Sequence, residues 1–220
     1  SLHFGEYYTD KQPAALFEAL QNVLKQKGSD LSKVRGSIDF DPLLDWSEPP
    51  INTLADMIKH CRDNMPHFRP LQVNANRFHG GTEYTSTELA YTIAKGSEYL
   101  ARLTETGLSP ATINQQLQFG ISISKSYFVE MAKLRALKLL WANVLKAYGE
   151  EKHNTPYIVA HFSKESQDEE MYTNMIRAST QAMSAVIGGA QRLYVLPANH
   201  ALKEPSTSFT RRVARNLQHL

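Results

Sequence analysis

A carboxylate and an ammonium group stand three residues apart at the start of a long helical pattern. Glu130 and Lys133 fall on the same helix face as an apolar stripe, and side chains at positions i and i+3 of a helix can form an ion pair. We expect this pair to lie where the core meets hydrated loops or other side chains, and we predict an architectural role for it. Arg135 projects away from the stripe and could contact a neighbouring helix or a partner chain. The stripe consists of Leu134, Leu137, Trp141, Val144, Leu145 and Tyr148.

Three further groups of residues have types that could bind ligands. Arg77 could anchor a phosphate or carboxylate, or it could form a structural salt bridge at the end of a strand. Gly80-Gly81 could let the backbone approach a ligand closely, or it could be a plain loop. His60 stands beside Cys61, but a structural zinc site needs four ligands and no second cluster follows in the sequence. The sequence therefore predicts no metal site.

The elements that position these residues are six short β-like segments that alternate with longer helical ones. We predict strands over residues 1–8, 34–41, 71–76, 115–124, 157–163 and 192–199. We predict helices over residues 13–28, 51–65, 86–107 (as one helix or a pair), 127–149, 169–189 and 207–220. Strands separated by helices of this length cannot pair as hairpins, so we expect a parallel sheet with right-handed crossovers. Six units fit either a doubly wound sheet or part of an eight-unit barrel, and the pattern alone does not choose.

Composition predicts a single soluble domain over residues 1–220. The chain has 42% hydrophobic residues, and its 24 basic and 22 acidic side chains leave a net charge of +2 without a run of five like charges. This balance favours neither nucleic acid nor a membrane surface as a partner. Cys61 is the only cysteine, which excludes an internal disulfide and fits a reducing compartment. Without a long apolar stretch or a signal peptide, we expect a cytoplasmic protein.

Several long segments resemble parts of the methylmalonyl-CoA mutase family, the adenosylcobalamin-dependent acyl-CoA mutases. They are "TSTELAYTIAKGSEYL", "FGISISKSYFVEMAKLRALKLLWANVL", "MYTNMIRASTQAMSAVIGGAQRLYV" and "FTRRVARNLQ", and "VRGSIDFDPL" resembles an earlier strand. The similarity runs in order from about residue 15 to the end and is closest to the small (beta, noncatalytic) subunit. It implies a (β/α)8 TIM barrel that holds the CoA ester along its axis, with cobalamin across the C-terminal ends of the strands.

By this resemblance the chain covers roughly six of the eight β/α units and forms an incomplete barrel. Open sheet edges attract partners, so we expect self-association, a partner chain or a distorted closure. The family's separate cobalamin-binding domain carries the pattern Asp-x-His-x-x-Gly, and none of the eight histidines here has a glycine three residues later. The chain is therefore expected to hold part of the substrate barrel and no cobalamin-binding domain.

Positions that match catalytic residues of the family carry other side chains. Asn76-Arg77 stand where catalytic members have a Tyr-His pair that wedges above the substrate and hydrogen-bonds the thioester carbonyl. Asp39 opens a run where the family has Gln-Asn-Asp, and the arginine that clamps the substrate carboxylate has no counterpart. Gln118 replaces a small serine that faces the tunnel for the pantetheine arm. The resemblance therefore implies no catalytic residue in this chain. The degenerate positions, at which the side chain differs from that of catalytic members, are Asp39, Asn76, Arg77 and Gln118.

The match to the family's cofactor contacts is also incomplete. His161 retains a histidine that lies near the corrin ring, but Ser163 stands where catalytic members have glutamine. Leu196 and His200 match an asparagine and a glutamate that touch the adenosyl group. His161 could instead be a packed, hydrogen-bonded histidine of the fold. We expect adenosylcobalamin to belong to the holoenzyme and not to be bound by this chain.

The resemblance predicts a small subunit, or a fragment of one, of an isomerase that interconverts methylmalonyl-CoA and succinyl-CoA in propionate metabolism. The chain would be noncatalytic and would support a catalytic large subunit in a heterodimer. The alternative is an active or altered-substrate acyl-CoA mutase domain that takes cobalamin from elsewhere, with Arg77 and His200 in new roles.

Overall fold

The computed structural model describes residues 1–5, 12–78, 84–152 and 155–219 of the chain. The strands over these residues are β1 (Leu2–Phe4), β2 (Gly36–Phe40), β3 (Phe68–Asn74), β4 (Leu117–Ile123), β5 (Tyr157–Phe162) and β6 (Arg192–Tyr194). The helices are α1 (Pro13–Gln26), α2 (Pro42–Asp45), α3 (Ile51–Asn64), α4 (Thr85–Glu105), α5 (Pro110–Gln116), α6 (Tyr127–Ala147), α7 (Met171–Gly188) and α8 (Ser208–Asn216).

The six strands form one sheet in which neighbouring strands follow the order of the chain, from β1 to β6. The registers of β1 with β2, β2 with β3 and β5 with β6 are parallel. A doubly wound sheet reverses its strand order at a switch point, whereas consecutive order is that of a (β/α)8 barrel. The prediction of an α/β chain with six units of an incomplete (β/α)8 barrel is therefore confirmed.

Several predicted boundaries differ from the structure. The strand predicted over residues 192–199 is longer than the observed strand, since β6 ends at Tyr194. Pro197 has no N–H to donate to a neighbouring strand, so the predicted strand could not continue through it. Residues 115 and 116 belong to α5, which was not predicted. Of the predicted strand 1–8, residues 6–8 lie outside the described part of the chain. The alternative of one helix over 86–107 is confirmed by α4.

The chain divides into two compact units. Unit 1 comprises Ser1–Asn74, Ala94–Gln118 and Trp141–Pro156. Its core is apolar and aromatic: Phe17 and Phe68 pack with their ring centroids 5.7 Å apart, and the fully buried Trp141 donates its indole N–H to Asn114 Oδ1 at 2.7 Å. Gly36 is required where β1 meets β2, since a Cβ there would lie 2.0 Å from the carbonyl oxygen of Leu2.

Unit 2 comprises Ala75–Ile93, Phe119–Leu140 and Tyr157–Leu220. An apolar cluster of Phe162, Ala178, Ala182, Leu196 and Leu217 packs β5 and the segment after β6 against α7 and the end of the chain. Helix α7 ends at a glycine with a left-handed backbone, Gly189 at φ +88°. Glycine is favoured at this position because it has no Cβ to clash.

The predicted apolar stripe of α6 is confirmed in its central positions. Leu134, Leu137, Trp141 and Leu145 have no exposed surface. Among the residues that the structure describes, no helix is long and apolar enough to cross a membrane.

Glu130 and Lys133 form the predicted ion pair in unit 2, at 2.7 Å between Lys133 Nζ and Glu130 Oε2. The expected hydration is wrong, because both side chains are completely buried. The other expectation, contact with further side chains, is confirmed: Lys133 Nζ also lies 2.9 Å from Glu88 Oε2, and Ser124 Oγ donates to Glu130 Oε1 at 2.5 Å. The buried triad of Glu88, Glu130 and Lys133 thus joins α4 to α6.

The backbone of β4 completes this triad. Lys133 Nζ donates to the carbonyl oxygen of Ser122 at 2.7 Å, and Ser122 N donates to Glu88 Oε1 at 3.2 Å. Buried charges are tolerated when they are paired and hydrogen-bonded, so this arrangement holds two helices against the C-terminal end of a strand.

Replacing the lysine of the triad should destabilise the protein strongly. Lys133→Met leaves the carboxylates of Glu88 and Glu130 buried without their cation, and we expect the free energy of unfolding to fall by about 3–5 kcal/mol. Urea denaturation followed by circular dichroism measures the change. Lys146→Met, on an exposed position of the same helix, is the matched control. A loss below about 1 kcal/mol for Lys133→Met would show that the triad does not stabilise the fold.

Candidate functional site

A row of polar side chains occupies one face of the sheet in unit 1. Side chains two residues apart on a strand point to the same side. This places Ser37 with Asp39 on β2 and Gln72 with Asn74 on β3, and Gln118 lies beside them on β4. We call these five residues the polar row. Each is at least 94% buried, since the most exposed of them, Asp39, keeps 6% of its surface.

Hydrogen bonds connect the polar row across three strands. Gln118 Nε2 donates to Asp39 Oδ1 at 3.1 Å and to Gln72 Oε1 at 2.7 Å. Gln72 Nε2 in turn donates to Asn74 Oδ1 at 2.5 Å, and Asn74 Nδ2 donates to the carbonyl oxygen of Asp39 at 3.4 Å. The donors of Gln118 and Gln72 are thus directed at other members of the row.

The row continues towards β1 through Ser37. Ser37 Oγ donates to Asp39 Oδ1 at 3.5 Å and shares a hydrogen bond of 3.0 Å with His3 Nδ1. Gln118 Oε1 is buried without a hydrogen-bond partner in the described part of the chain. Two residues singled out separately in the sequence, Asp39 and Gln118, are therefore direct partners in the structure.

A second buried network lies at the C-terminal end of β2. Asp41 Oδ1 accepts from the Tyr99 hydroxyl at 2.6 Å, and Oδ2 accepts from Lys95 Nζ at 2.6 Å and from Asn74 N at 2.7 Å. Tyr99 OH accepts from Leu43 N at 2.9 Å. These contacts fasten α4 to the end of β2. Sequence reasoning missed this network, although Lys95 and Tyr99 stand four residues apart on one helix face.

Burial dominates the electrostatics of this second network. It raises the pKa of Asp41 above its usual range, although the ammonium group of Lys95 opposes the shift. Burial also lowers the pKa of Lys95, against the pull of Asp41. The pKa of Tyr99 is raised by burial and then by the neighbouring Asp41 charge, so its hydroxyl remains a donor at neutral pH.

His161, a candidate cofactor contact, lies near the end of β5 in unit 2. Its imidazole stacks on Tyr194, with ring centroids 5.2 Å apart and planes inclined by 27°. Nε2 is buried and has no hydrogen-bond partner among the residues placed by the structure. Burial, reinforced by the positive charge of Arg192, lowers the pKa of His161 to about 4. His161 is therefore a packed, neutral histidine at physiological pH, and its packing agrees with the alternative interpretation of the sequence.

The other cofactor candidates have local settings of their own. Ser163 Oγ donates to Glu165 Oε2 at 2.6 Å, and Ser163 N donates to the carbonyl oxygen of Ile123 at 2.9 Å. Leu196 is buried in the apolar cluster of unit 2. His200 begins an exposed 3-10 turn. These residues thus have local structural contacts or point to solvent.

The remaining candidates lie on loops and helices. Asn76 and Arg77 belong to the 3-10 turn Ala75–Phe78, where the carbonyl oxygen of Asn76 accepts from Ser122 Oγ at 3.4 Å and Arg77 is exposed. Gly80-Gly81 lie outside the described residues. Burial raises the pKa of the Cys61 thiol, which keeps it protonated. Within residues 1–5, 12–78, 84–152 and 155–219, no group of three or more His, Cys, Asp or Glu side chains could hold a metal ion.

Comparison with known proteins identifies relatives along nearly the whole chain. A family model described as methylmalonyl-CoA mutase matches residues 8–220. The chain is 32% identical over 216 residues to the methylmalonyl-CoA mutase small subunit of Porphyromonas gingivalis. The aligned residues make up 94% of this chain and 35% of that protein. It is 28% identical over 217 residues to the small subunit of Propionibacterium freudenreichii subsp. shermanii, with coverages of 96% and 34%.

A relative named as a large subunit also matches. The methylmalonyl-CoA mutase large subunit of Porphyromonas gingivalis is 27% identical over 209 residues, which are 90% of this chain and 29% of that protein. The chain therefore spans about a third of the length of these relatives.

The low pKa of His161 should make the protein less stable in mild acid. The unfolded state binds a proton at this imidazole near pH 6.5 and the folded state only near pH 4. Stability therefore decreases as the pH falls from 6.5 towards 4, by at most about 1.4 kcal/mol per pH unit from this group. His161→Gln should flatten this part of the stability curve.

Urea unfolding between pH 7.5 and 5 measures the slope for the original chain, for His161→Gln and for His219→Gln, which removes an exposed imidazole. An unchanged slope for His161→Gln would contradict the assignment of a half-buried His161 that stays neutral in the folded protein.

Proposed function

The chain belongs to the methylmalonyl-CoA mutase family, and from that premise we propose that residues 1–220 form part of the substrate barrel of a noncatalytic small subunit. This chain would stabilise a catalytic large subunit and leave the isomerisation of the acyl-CoA ester to it. Relatives named as small subunits support this role. The single cysteine supports a cytoplasmic location.

The observation that carries the proposal is the hydrogen bond between Gln118 and Asp39. The interior of a (β/α)8 barrel is normally packed with side chains, so binding a long ligand along the axis requires small residues. Gln118 is larger than the serine of catalytic members, and its amide donors bind Asp39 and Gln72. Neither the room nor the donors at this position remain available to a thioester.

Charge also opposes a carboxylated acyl group beside the polar row. Asp39 places a carboxyl group on the same face as Gln118, and like charges at short range repel strongly where water is excluded. Losing one preorganised donor to a reacting carbonyl typically costs about 10²–10³ in rate. The Tyr-His pair and the arginine clamp are both replaced or absent, so turnover by this chain alone is not expected.

The residues present do not fit a cobalamin cofactor. Ser163 is bound to Glu165, Leu196 is buried in an apolar cluster and His200 is exposed in a turn. Of these candidate positions, His161 alone has a buried nitrogen, Nε2, without a hydrogen-bond partner in the described residues. In the proposed assembly, adenosylcobalamin is therefore held by the large subunit.

Relatives named as small and as large subunits support a mutase complex as the setting of this chain. We propose that a large mutase subunit is its partner in a heterodimer.

The second candidate is an active or altered-substrate mutase domain. The neutral imidazole of His161 favours it, since its Nε2 has no partner among the described residues and matches a family position near the corrin ring. This candidate requires that the chain bind a CoA ester itself, which the experiment below tests.

Titration with methylmalonyl-CoA by calorimetry separates the two candidates. The chain alone should show no saturable binding in the micromolar range, because the polar row fills the position of the pantetheine arm. Its complex with a co-expressed large subunit should bind one ester per heterodimer. The large subunit alone serves as the control for its own site.

Saturable micromolar binding by the isolated chain, or two sites per heterodimer, would support the active domain and overturn the noncatalytic role. Failure of the chain to copurify with the large subunit would overturn the partner role.

A further inference from the structure

Two loops at the C-terminal ends of β5 and β6 in unit 2 meet at one buried side chain. The β5 loop comprises residues 163–170, between β5 and α7, and the β6 loop comprises residues 195–207, between β6 and α8. Asn174, near the start of α7, is only 1% exposed. Its carboxamide contacts the backbone of both loops.

Asn174 uses its full capacity for hydrogen bonds. A carboxamide can donate two hydrogen bonds and accept two. Nδ2 donates to the carbonyl oxygen of Asp168 at 2.7 Å and to that of Ala198 at 2.8 Å. Oδ1 accepts from Asp168 N at 3.1 Å and from Arg177 Nη1 at 3.3 Å. Because all four bonds are made, the departure of either loop would leave a buried polar atom of Asn174 unpaired.

An ion pair on the surface extends this arrangement to solvent. Arg177 Nη1 also pairs with Asp168 Oδ2, and the side chains of these two residues are 28% and 47% exposed. The ion pair thus contacts Asn174 Oδ1, while Asn174 Nδ2 contacts the β6 loop. A single buried side chain therefore separates an exposed ion pair from the carbonyl group of Ala198.

Each loop also contains hydrogen bonds of its own. In the β5 loop, Ser166 Oγ donates to the carbonyl oxygen of Ser163 at 2.6 Å. In the β6 loop, Asn199 Nδ2 donates to the carbonyl oxygen of Pro205 at 3.2 Å. Contiguous segments that are bonded in this way open cooperatively in native proteins rather than one residue at a time.

We propose that the β5 loop and the β6 loop open and close as one cooperative unit, with Asn174 as the link between them. Opening one loop breaks bonds of Asn174, so the buried carboxamide then stabilises the other loop less well. A contact made on the exposed ion pair of Asp168 and Arg177 is thereby transmitted to the β6 loop.

This inference goes beyond the noncatalytic role and does not depend on it. The two loops carry Ser163, Leu196 and His200, three of the positions that were compared with cofactor contacts of the family. A partner or ligand that disturbed the ion pair would change the setting of all three positions together.

Native-state hydrogen exchange, resolved by residue, tests the link. The reporters are Gln167 N, bonded to the carbonyl oxygen of Lys164 at 3.2 Å, and His200 N, bonded to that of Pro197 at 2.9 Å. Neither reporter is bonded to Asn174, and both should open with the same free energy. Asn174→Ala should speed exchange at both reporters by about tenfold or more, because the closed loops lose the bonds of the carboxamide.

Arg177→Met tests transmission from the surface. It breaks bonds with Asp168 and Asn174, and none with the β6 loop among the residues that the structure describes. Exchange should nevertheless become about threefold faster at both Gln167 and His200, since Asn174 loses one of its four partners.

Lys164→Met is the matched control, because it removes an exposed cation from the β5 loop and should leave His200 unchanged. If Arg177→Met or Asn174→Ala sped exchange at Gln167 without any change at His200, the loops would be independent and the proposal would be overturned. An equal increase at the amide of Ser122 in β4 would also overturn it, since the effect would then be a general destabilisation of unit 2.

Thiol labelling of Leu196→Cys gives an independent readout of the β6 loop. Leu196 is 8% exposed, and the natural Cys61 is fully buried. Adding Asn174→Ala or Arg177→Met should speed labelling by about threefold or more, whereas adding Lys164→Met should not change it. Equal labelling rates in all of these variants would contradict the link. Far-UV circular dichroism verifies that each variant is folded.

Discussion

The hydrogen bond from the Gln118 amide to the Asp39 carboxyl group is the interaction on which the functional interpretation depends. A buried carboxyl group needs hydrogen-bond donors, and the amide nitrogen of a buried glutamine needs acceptors, so Gln118 Nε2 and the Asp39 carboxyl group satisfy each other across strands β2 and β4. Gln72 and Asn74 complete the row. Under the proposed function, these hydrogen bonds use the space and donors that an acyl-CoA ester would require, and the chain supports a catalytic partner.

Two further buried networks show how the helices are fixed around the strands. In unit 1, Asp41 accepts hydrogen bonds from Lys95 and Tyr99 at the end of β2. In unit 2, Lys133 forms ion pairs with both Glu88 and Glu130 at the end of β4. Helix α4 contributes to both. In catalytic barrels the C-terminal ends of strands carry reactive groups, but here these charged groups bind one another. Their role in this chain is structural.

The sequence predicted what depends on local spacing and missed what depends on distant contacts. The pairing of Glu130 with Lys133 follows from their spacing of three residues on one helix. Glu88 lies 45 positions from Lys133, and no local pattern links these two residues. Asp39 and Gln118 are 79 positions apart, so each was recognised as unusual but not as the partner of the other. Helix α5 could have been found, because Ser109 caps it and Pro110 begins it. The barrel order itself came from the family resemblance, since alternation alone also fits a doubly wound sheet.

A double-mutant cycle at Asp39 and Gln118 tests the central claim most directly. Asp39→Ala, Gln118→Ala and the combined variant are unfolded in urea, and the coupling energy is the departure of their effects from additivity. A hydrogen bond between these buried side chains predicts a coupling of about 1–3 kcal/mol, with the upper values expected for an ionised carboxylate. Effects that add within about 0.5 kcal/mol would mean that the two side chains do not interact, and the account of a filled interior would be contradicted.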